Sequence, residues 1–365
     1  TLLCKFDGQR VTMASQIAGA DETVSSLYSV KSEQATMLSF DTYNYLVHYF
    51  GQPQGSMADD PNGTLGGDYE FVISDATADR IELKGKKYGN RIVMKAFSAD
   101  QTWKQYLTRI KKVEDDAFFY EYDLRMDGLY TGQMLRSNYT FIVTYYDEVG
   151  KVHQKTVPFM FTTDGMRFHE PVTIDGQTMQ NFVWKNEEIS FVCTDEGATE
   201  VKLAGVYTAG YQSYDYYPGT YQMDFYRLND ATNQMEVASQ EIQLVKDEDG
   251  KSYWLKGLEY DILVTYDKPR GGLSILPQFL KKVQGGYVYL AMWDLMNDYV
   301  LRSSAIGLIS YPTTDGIYLV DNGVWMGEIS GFIFGVYDSQ DEEASFMGYT
   351  DAVAAIRLIK KTIEE

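Results

Sequence analysis

The segment 242–255, IQLVKDEDGKSYWL, decides the fold class of this chain. Ile242 and Leu244 precede an Asp249-Gly250 pair, and two further apolar residues follow that pair at the same spacing of two. A period of two places apolar side chains on one face of a strand. Asp followed by Gly adopts the positive φ angles of a tight hairpin turn at low cost. The segment therefore predicts a β-hairpin with one buried face.

The same turn chemistry recurs along the whole chain. Further Asp-Gly or Asn-Gly pairs stand at Asp7-Gly8, Asn62-Gly63, Asp127-Gly128, Asp164-Gly165, Asp175-Gly176, Asp315-Gly316 and Asn322-Gly323. Aromatic residues make up 15% of the chain, with 30 tyrosines, and large rings pack well on a pleated surface. These features predict an all-β, antiparallel fold built from tandem meander or barrel-like (lipocalin-like) modules, with strand content well above the usual ~20–25%. A meander of about eight strands can close into a barrel, and an open sheet with a helix on one face is the alternative.

One helix stands out, over residues 99–115. Ser98 and Gln101 fit a capping box, and apolar residues then follow at helical spacing. The acidic run at 114–116 breaks that pattern and is interpreted as a linker. The stretch 351–361 fits a helix or a strand, and we favour a closing strand. We therefore expect an N-terminal β-meander module ending in the helix (1–116), a β-rich middle region (117–205) and a C-terminal β-meander module (206–365).

Length, charge and cysteine content exclude several classes of protein. The chain has 365 residues and a formal net charge of −20. Nucleic acids and anionic lipids both reward positive charge, so neither is an expected partner. No apolar run approaches the ~20 residues of a membrane-spanning helix. Cys4 and Cys193 are too few for a disulfide framework, and we expect free thiols, although a bridge between them stays open.

Motifs of catalysis are missing from the sequence. The three histidines, His48, His153 and His169, form no zinc-binding spacing. Neither the G-x-S-x-G elbow of serine hydrolases nor a glycine-rich phosphate loop occurs. The acidic segment 247–250 lacks the spacing of a calcium loop and is interpreted as a charged hairpin tip. We expect no catalytic residues, no metal and no cofactor, although glycoside hydrolysis, which needs only two carboxylates, stays open.

The segment 207–221 contains six tyrosines between glycines and a proline. Aromatic faces beside hydroxyl and carboxylate groups suit sugar recognition, because rings stack on C–H faces and polar groups bind hydroxyls. The candidate ligand contacts are Tyr211, Tyr214, Asp215, Tyr216 and Tyr217. The net negative charge favours a neutral glycan. The alternative is that these tyrosines only pack the loop onto a barrel rim.

Three stretches carry a family resemblance: 66–85 (GGDYEFVISDATADRIELKG), 164–184 (DGMRFHEPVTIDGQTMQNFVW) and 331–337 (GFIFGVY). They resemble domain-of-unknown-function family 4302, surface lipoproteins of gut Bacteroidetes. The resemblance implies export, a lipid-bearing cysteine upstream of the first residue, and genes near outer-membrane nutrient-uptake systems. Cys4 matches that cysteine poorly, because it lies within the first predicted strand. The family has no established activity, so no functional residue is carried over.

Together these points predict an exported, non-catalytic lipoprotein of the outer membrane or cell surface that helps to capture a glycan or another nutrient. Its expected partners are a neutral glycan or outer-membrane uptake proteins, and it meets the membrane only through an upstream lipid anchor. Two alternatives stay open. One is a structural or adhesive protein that binds another protein, and the other is a glycoside hydrolase.

Overall fold

The computed structural model describes residues 1–32, 35–52, 65–147, 149–229, 231–232, 234–341 and 343–361. Strands make up 57% of the structure and helices 5%, and the sheets are antiparallel, so the predicted all-β class is confirmed. The chain divides into two compact units, Thr1–Val206 and Tyr207–Glu365. Within the described residues no helix has the length and apolar character needed to cross a membrane.

The first unit begins with a seven-stranded sheet in which each strand pairs with its chain neighbour. Its strands are β1 (Leu2–Asp7), β2 (Arg10–Ser15), β3 (Val24–Ser32), β4 (Thr36–Phe40), β5 (Glu70–Ala76), β6 (Arg80–Gly85) and β7 (Arg91–Lys95). A short helix, α1 (Tyr45–His48), follows β4 and buries Leu46 against Val11, Phe40 and Phe71 of the sheet. Strand alternation thus gives this sheet one apolar face, as the pleat requires.

The predicted helix is present as α2 (Trp103–Asp116), but its start was placed one turn too early. The capping box is formed by Thr102 and Gln105 rather than by Ser98 and Gln101. The side chain of Ser98 donates to Asp100 instead, so it does not cap the helix. The later start agrees with the apolar stripe of α2, which the structure buries.

The acidic run at 114–116 is the last turn of α2, so its interpretation as a linker was wrong. Glu114 accepts a hydrogen bond from the hydroxyl of Tyr139 at 3.1 Å, and Arg136 lies 3.5 Å from the same carboxylate. Lys112 and Asp116 form an ion pair at helical spacing. These partners stabilise Glu114 and Asp116 in the last turn of the helix.

The remainder of the first unit is a closed eight-stranded barrel. Its strands are β8 (Glu121–Met126), β9 (Leu129–Ser137), β10 (Thr140–Tyr146), β11 (Val152–Phe161), β12 (Gly165–Ile174), β13 (Gln177–Lys185), β14 (Ser190–Cys193) and β15 (Lys202–Val206). Pairing of β15 with β8 closes the barrel. Aromatic rings fill its interior. Phe141 and Phe159 stack at 4.4 Å between centroids, and Tyr122 lies 5.7 Å from Phe141.

The second unit is a twelve-stranded sheet that closes on itself in part. Its strands are β16 (Gly219–Asn229), β17 (Gln234–Lys246), β18 (Ser252–Lys256), β19 (Ile262–Asp267), β20 (Gly272–Ile275), β21 (Gln278–Val283), β22 (Gly286–Asp294), β23 (Tyr299–Leu301), β24 (Leu308–Thr313), β25 (Gly316–Asp321), β26 (Gly331–Tyr337) and β27 (Phe346–Lys360). Because β16 pairs with both β17 and β27, the strands β16–β20, β24, β25 and β27 form a ring. Strands β26, β22 and β21 extend the sheet from β27, and the predicted C-terminal strand is confirmed as part of β27.

The turn chemistry predicts the Asp-Gly hairpins, whereas Asn322-Gly323 forms no hairpin, because it lies between β25 and β26, which pair with other strands. All six Asp-Gly pairs lie at or beside a loop that joins two paired strands. At Asp127-Gly128 and Asp175-Gly176 both residues have positive φ, as in a type I′ turn. The hairpin over 242–255 is present as β17 and β18, with Leu244 opposite Leu255 in the core. The Asn62-Gly63 pair lies outside the described residues.

Both cysteines are free, as expected. Cys4 lies in β1 and Cys193 in β14, and burial raises the pKa of each thiol.

Candidate functional site

The tyrosine-rich segment 207–218, here called the tyrosine cap, precedes β16 and has no regular secondary structure. Its hydrogen bonds reach Ser252, the first residue of β18, and Gly271, in the loop between β19 and β20. Because consecutive paired strands run antiparallel, Ser252 and Gly271 lie at the same end of the ring of strands. Pro218 is the last residue of the cap, and Gly219 begins β16. The cap therefore covers one end of the ring.

Four tyrosine hydroxyls fix the cap in place. The hydroxyl of Tyr214 donates to the carbonyl of Ser252 at 2.8 Å, and that of Tyr253 donates back to the carbonyl of Tyr214 at 2.7 Å. The hydroxyl of Tyr217 donates to the carbonyl of Gly271 at 2.9 Å, and that of Tyr221 donates to the carbonyl of Tyr217 at 2.6 Å. Burial raises the pKa of all four phenols, so they stay protonated donors at neutral pH.

The five predicted contact residues occupy different environments. Tyr217 is 0% exposed and belongs to the core of the ring, and this removes it from the accessible candidates. Tyr214 is half-buried and stacks on Tyr253 at 4.7 Å. Binding at the other four predicted residues stays a prediction.

The outward side of the cap presents aromatic rings to solvent. Tyr216 is 39% exposed, and the ammonium of Lys360 lies 5.0 Å from the centre of its ring. Asp215 is exposed and forms an ion pair with Lys246. Tyr211 is half-buried, with its hydroxyl 3.1 Å from that of Tyr266.

Tyr207 also belongs to this outward side, although the sequence did not single it out as a contact. It is 46% exposed, and its ring packs on that of Tyr211 at 4.4 Å between centroids with a 49° tilt. The signal was its place in the same tyrosine run. Tyr207, Tyr211, Asp215 and Tyr216 thus form the accessible part of the cap.

The interiors of the closed barrel and of the ring are occupied by their own side chains. Phe is the most frequent residue of the barrel core, followed by Met and Val, whereas the core of the ring is mainly Ile, Leu and Val with three buried tyrosines. A ligand site in these parts of the structure is therefore expected on the outer surface, unlike the interior site of a ligand-carrying barrel.

Nine carboxylates among the described residues have a pKa below the ordinary value, because hydrogen-bond donors or cations lie beside them. They are Asp41, Glu82, Asp147, Glu188, Asp195, Asp224, Asp249, Asp294 and Asp315. At the 247–250 hairpin tip, the hydroxyl of Ser252 and the backbone N–H of Lys251 donate to Asp249 and lower its pKa. In the same described part of the chain, no group of three or more His, Cys, Asp and Glu side chains is placed to hold a metal.

Comparison with known proteins gives two family matches. The model of DUF4302, a domain of unknown function, matches residues 1–186, and that of DUF4987, also a domain of unknown function, matches residues 194–333. The first match ends before β14 and β15, which close the barrel, so its limit differs from that of the structural unit at Val206.

Among solved structures, the chain is similar to a protein of unknown function from the DUF3598 family of Nostoc punctiforme. The identity is 8%, with 67% of this chain and 98% of the other covered, and the TM-score is 0.18, too low to support any argument about this chain. No curated protein matches. Because the first family model spans half of its length, the chain belongs to the DUF4302 family.

Proposed function

We propose that this protein is an exported, non-catalytic surface lipoprotein that binds a neutral glycan through the outward side of the tyrosine cap. The observation that carries the proposal is that exposed tyrosine rings lie next to tyrosines of the same cap whose hydroxyls are hydrogen-bonded to the ring of strands. Tyr216 and Tyr207 face solvent, while the hydroxyls of the neighbouring Tyr214 and Tyr217 are fixed by hydrogen bonds to backbone carbonyls at one end of the ring.

Rigidity matters because binding a sugar to a mobile loop would cost the entropy of ordering that loop. A base held by buried hydroxyl bonds reduces this cost, and the outward rings can then stack at little further loss of freedom. Each stacked ring contributes on the order of 1 kcal/mol, which implies micromolar to millimolar affinity.

Charge supports a neutral ligand. The chain carries a net charge of −20, which repels polyanionic glycans at long range. At the cap, the exposed carboxylate of Asp215 can accept hydrogen bonds from sugar hydroxyls.

Export and a lipid anchor upstream of Thr1 are proposed from the resemblance to surface lipoproteins described above. In that setting the protein would hold glycans close to outer-membrane uptake proteins. Adhesion to another protein is an outcome of the test below.

The test is a glycan-array screen followed by calorimetry on the glycans that bind. Tyr216→Ala and Tyr207→Ala should each weaken binding about five-fold, as expected for loss of one stacked ring. Tyr130→Ala is the matched control, because Tyr130 is a 54% exposed tyrosine on β9, outside the cap. Equal affinity of all three variants, or no neutral glycan bound by the wild type, would contradict the proposal. A protein ligand in place of a glycan would support the adhesive alternative.

A further inference from the structure

A second aromatic surface lies at another place in the second unit, where the loop between β22 and β23 meets the loop between β25 and β26. Tyr299 and Trp325 come together there, with ring centroids 5.7 Å apart and ring planes at 67°. We call this pair and the two loops, residues 295–298 and 322–330, the aromatic corner.

Asp294 anchors the corner. Its side chain is 0% exposed and accepts hydrogen bonds from the indole N–H of Trp325 at 3.0 Å, the side-chain amide of Asn297 at 2.9 Å and the backbone N–H of Asn297 at 3.1 Å. Asp294 is also the register partner of Tyr299 on β23. One buried carboxylate thus joins both loops and fixes the orientation of the indole.

Gly327 allows the loop to approach this anchor closely. A Cβ atom at position 327 would lie 2.2 Å from a carboxylate oxygen of Asp294 and 2.7 Å from the indole nitrogen of Trp325. Glycine therefore keeps the backbone against the carboxylate, and the corner is built as a rigid unit.

The corner exposes large apolar side chains on top of this rigid base. Tyr299 is 53% exposed, Val324 56%, Met296 82% and Met326 96%. Apolar side chains exposed to this degree on two loops that share one buried anchor make the corner a candidate binding surface.

The chemistry of the two loops selects the class of that partner. Residues 294–300 and 322–330 contain no Lys or Arg, so an anionic ligand finds no cation there. Exposed hydrogen-bonding groups are instead supplied at the edge of the corner by Asn297, Asp298 and Glu328. Insertion into a membrane would remove water from Asp298 and Glu328, which is costly. A stable protein interface needs roughly 20–30 residues on each side, more than these two loops provide.

We propose that the aromatic corner is a second sugar-binding site, in which a neutral pyranose ring stacks on the exposed ring of Tyr299 beside the half-buried Trp325, while its hydroxyls bond to Asn297 and Asp298. This inference rests on the proposed function, since it assumes that the chain binds neutral glycans. It adds a site that is separate in sequence from the tyrosine cap and is built on its own buried anchor.

The test is calorimetry and tryptophan fluorescence on the full chain, with maltohexaose, cellohexaose and xylohexaose as probes. Tyr299→Ala is the main variant, because it leaves the bond between Asp294 and Trp325 intact and should fold. Tyr299→Ala should raise the dissociation constant of one class of sugar sites about five-fold or more. Trp325→Phe should abolish the sugar-induced shift of tryptophan emission that we expect in the wild type. Tyr226→Ala, a 45% exposed tyrosine on β16, should change neither signal.

The outcomes separate the two proposals. If only Tyr207→Ala and Tyr216→Ala lose affinity, the corner is not a sugar site, and the proposed function stands. If only the corner variants lose affinity, glycan binding stands but its location in the cap fails. If no hexasaccharide binds the wild type, both proposals fail. If phosphatidylcholine vesicles alone change the emission, with Trp325→Phe abolishing that change, the corner is a membrane contact and the sugar inference is overturned.

Discussion

Arg357 of β27 faces Asp224 of β16 across the junction that closes the ring of strands, with a guanidinium nitrogen 2.8 Å from the carboxylate. The same guanidinium reaches Asp315, in the turn between β24 and β25, at 3.1 Å. The hydroxyl of Ser239 on β17 also donates to Asp224. Two ion pairs and one hydrogen bond thus tie together three strands of the ring, β16, β17 and β27, and the turn between β24 and β25.

The first prediction concerns pH. The hydroxyl of Ser239 and then the guanidinium of Arg357 lower the pKa of Asp224 from its ordinary value of 3.8 to about 2. A carboxyl with a lowered pKa stabilises the folded state above its unfolded pKa, and this contribution disappears as the pH falls through the folded pKa. The stability difference between the wild type and Asp224→Asn should therefore be full at pH 6 and shrink between about pH 4 and pH 2. Thermal melts across this range measure it, and a difference independent of pH would contradict the prediction.

A second prediction concerns the buried hydroxyl of Tyr217. Tyr217→Phe keeps the ring but leaves the carbonyl of Gly271 without this donor. We expect a loss of about 1 kcal/mol in the free energy of unfolding, and a loss of about 3–5 kcal/mol for Tyr217→Ala, which also empties the core position. Urea unfolding measures both. Tyr216→Phe is the control, since the ring of Tyr216 is exposed, and a loss as large as that of Tyr217→Phe would contradict the packing described for the cap.

Local chemistry predicts the hairpins, because the information lies in adjacent residues. Asp127-Gly128 and Asp175-Gly176 specify their turns through their own φ angles, whatever the rest of the chain does. Closure of the sheets is different. The pairings of β15 with β8 and of β16 with β27 join segments far apart in sequence, and no local pattern encodes them.

The candidate site shows the same limit. Tyr216 and Tyr217 are adjacent, yet one faces solvent and the other is buried. In a segment without regular structure no periodicity decides which ring turns inward. The partner of Tyr217 is the carbonyl of Gly271, 54 residues away. The aromatic corner could not be predicted from the sequence for a related reason. Its anchor, Asp294, lies 31 residues from Trp325, whose indole it orients.

A third prediction concerns the limits of the first folding unit. A fragment ending at residue 206 contains all eight strands of the barrel, whereas one ending at residue 186, the limit of the DUF4302 match, lacks β14 and β15. Without β14 and β15, strand β8 has no partner on its open side, so the barrel does not close. An unpaired strand edge and part of the core are then exposed to solvent. We expect the longer fragment to unfold cooperatively with a near-ultraviolet circular dichroism signal, and the shorter one to lose both properties. Equal behaviour of the two fragments would show that closure is dispensable.

A fourth prediction tests the close approach at Gly327. Gly327→Ala places a methyl group against the carboxylate of Asp294, where the backbone must shift to make room. Overpacking of this kind costs roughly 1–3 kcal/mol. Gly19→Ala is the matched control, because the nearest atom to its added Cβ, in Glu22, is 3.7 Å away. Differential scanning calorimetry should show a lower melting temperature only for Gly327→Ala, and an unchanged melting temperature would mean that the anchor is not tightly packed.

The last prediction concerns the two free thiols. Burial raises the pKa of Cys193 to about 11 and that of Cys4 to about 12, so almost no thiolate is present at pH 8. Because the thiolate is the reactive form, a disulfide reagent such as dithionitrobenzoate should react very slowly with the native protein. Unfolding in guanidinium restores the ordinary pKa, and both thiols should then react within minutes. Cys4→Ser and Cys193→Ser serve as controls, each leaving one thiol to be counted in the unfolded chain. Rapid modification of one thiol in the native protein would contradict the prediction, and the serine variant that abolishes it would identify the cysteine. It would show that β1 or β14 opens to solvent more readily than its packing implies.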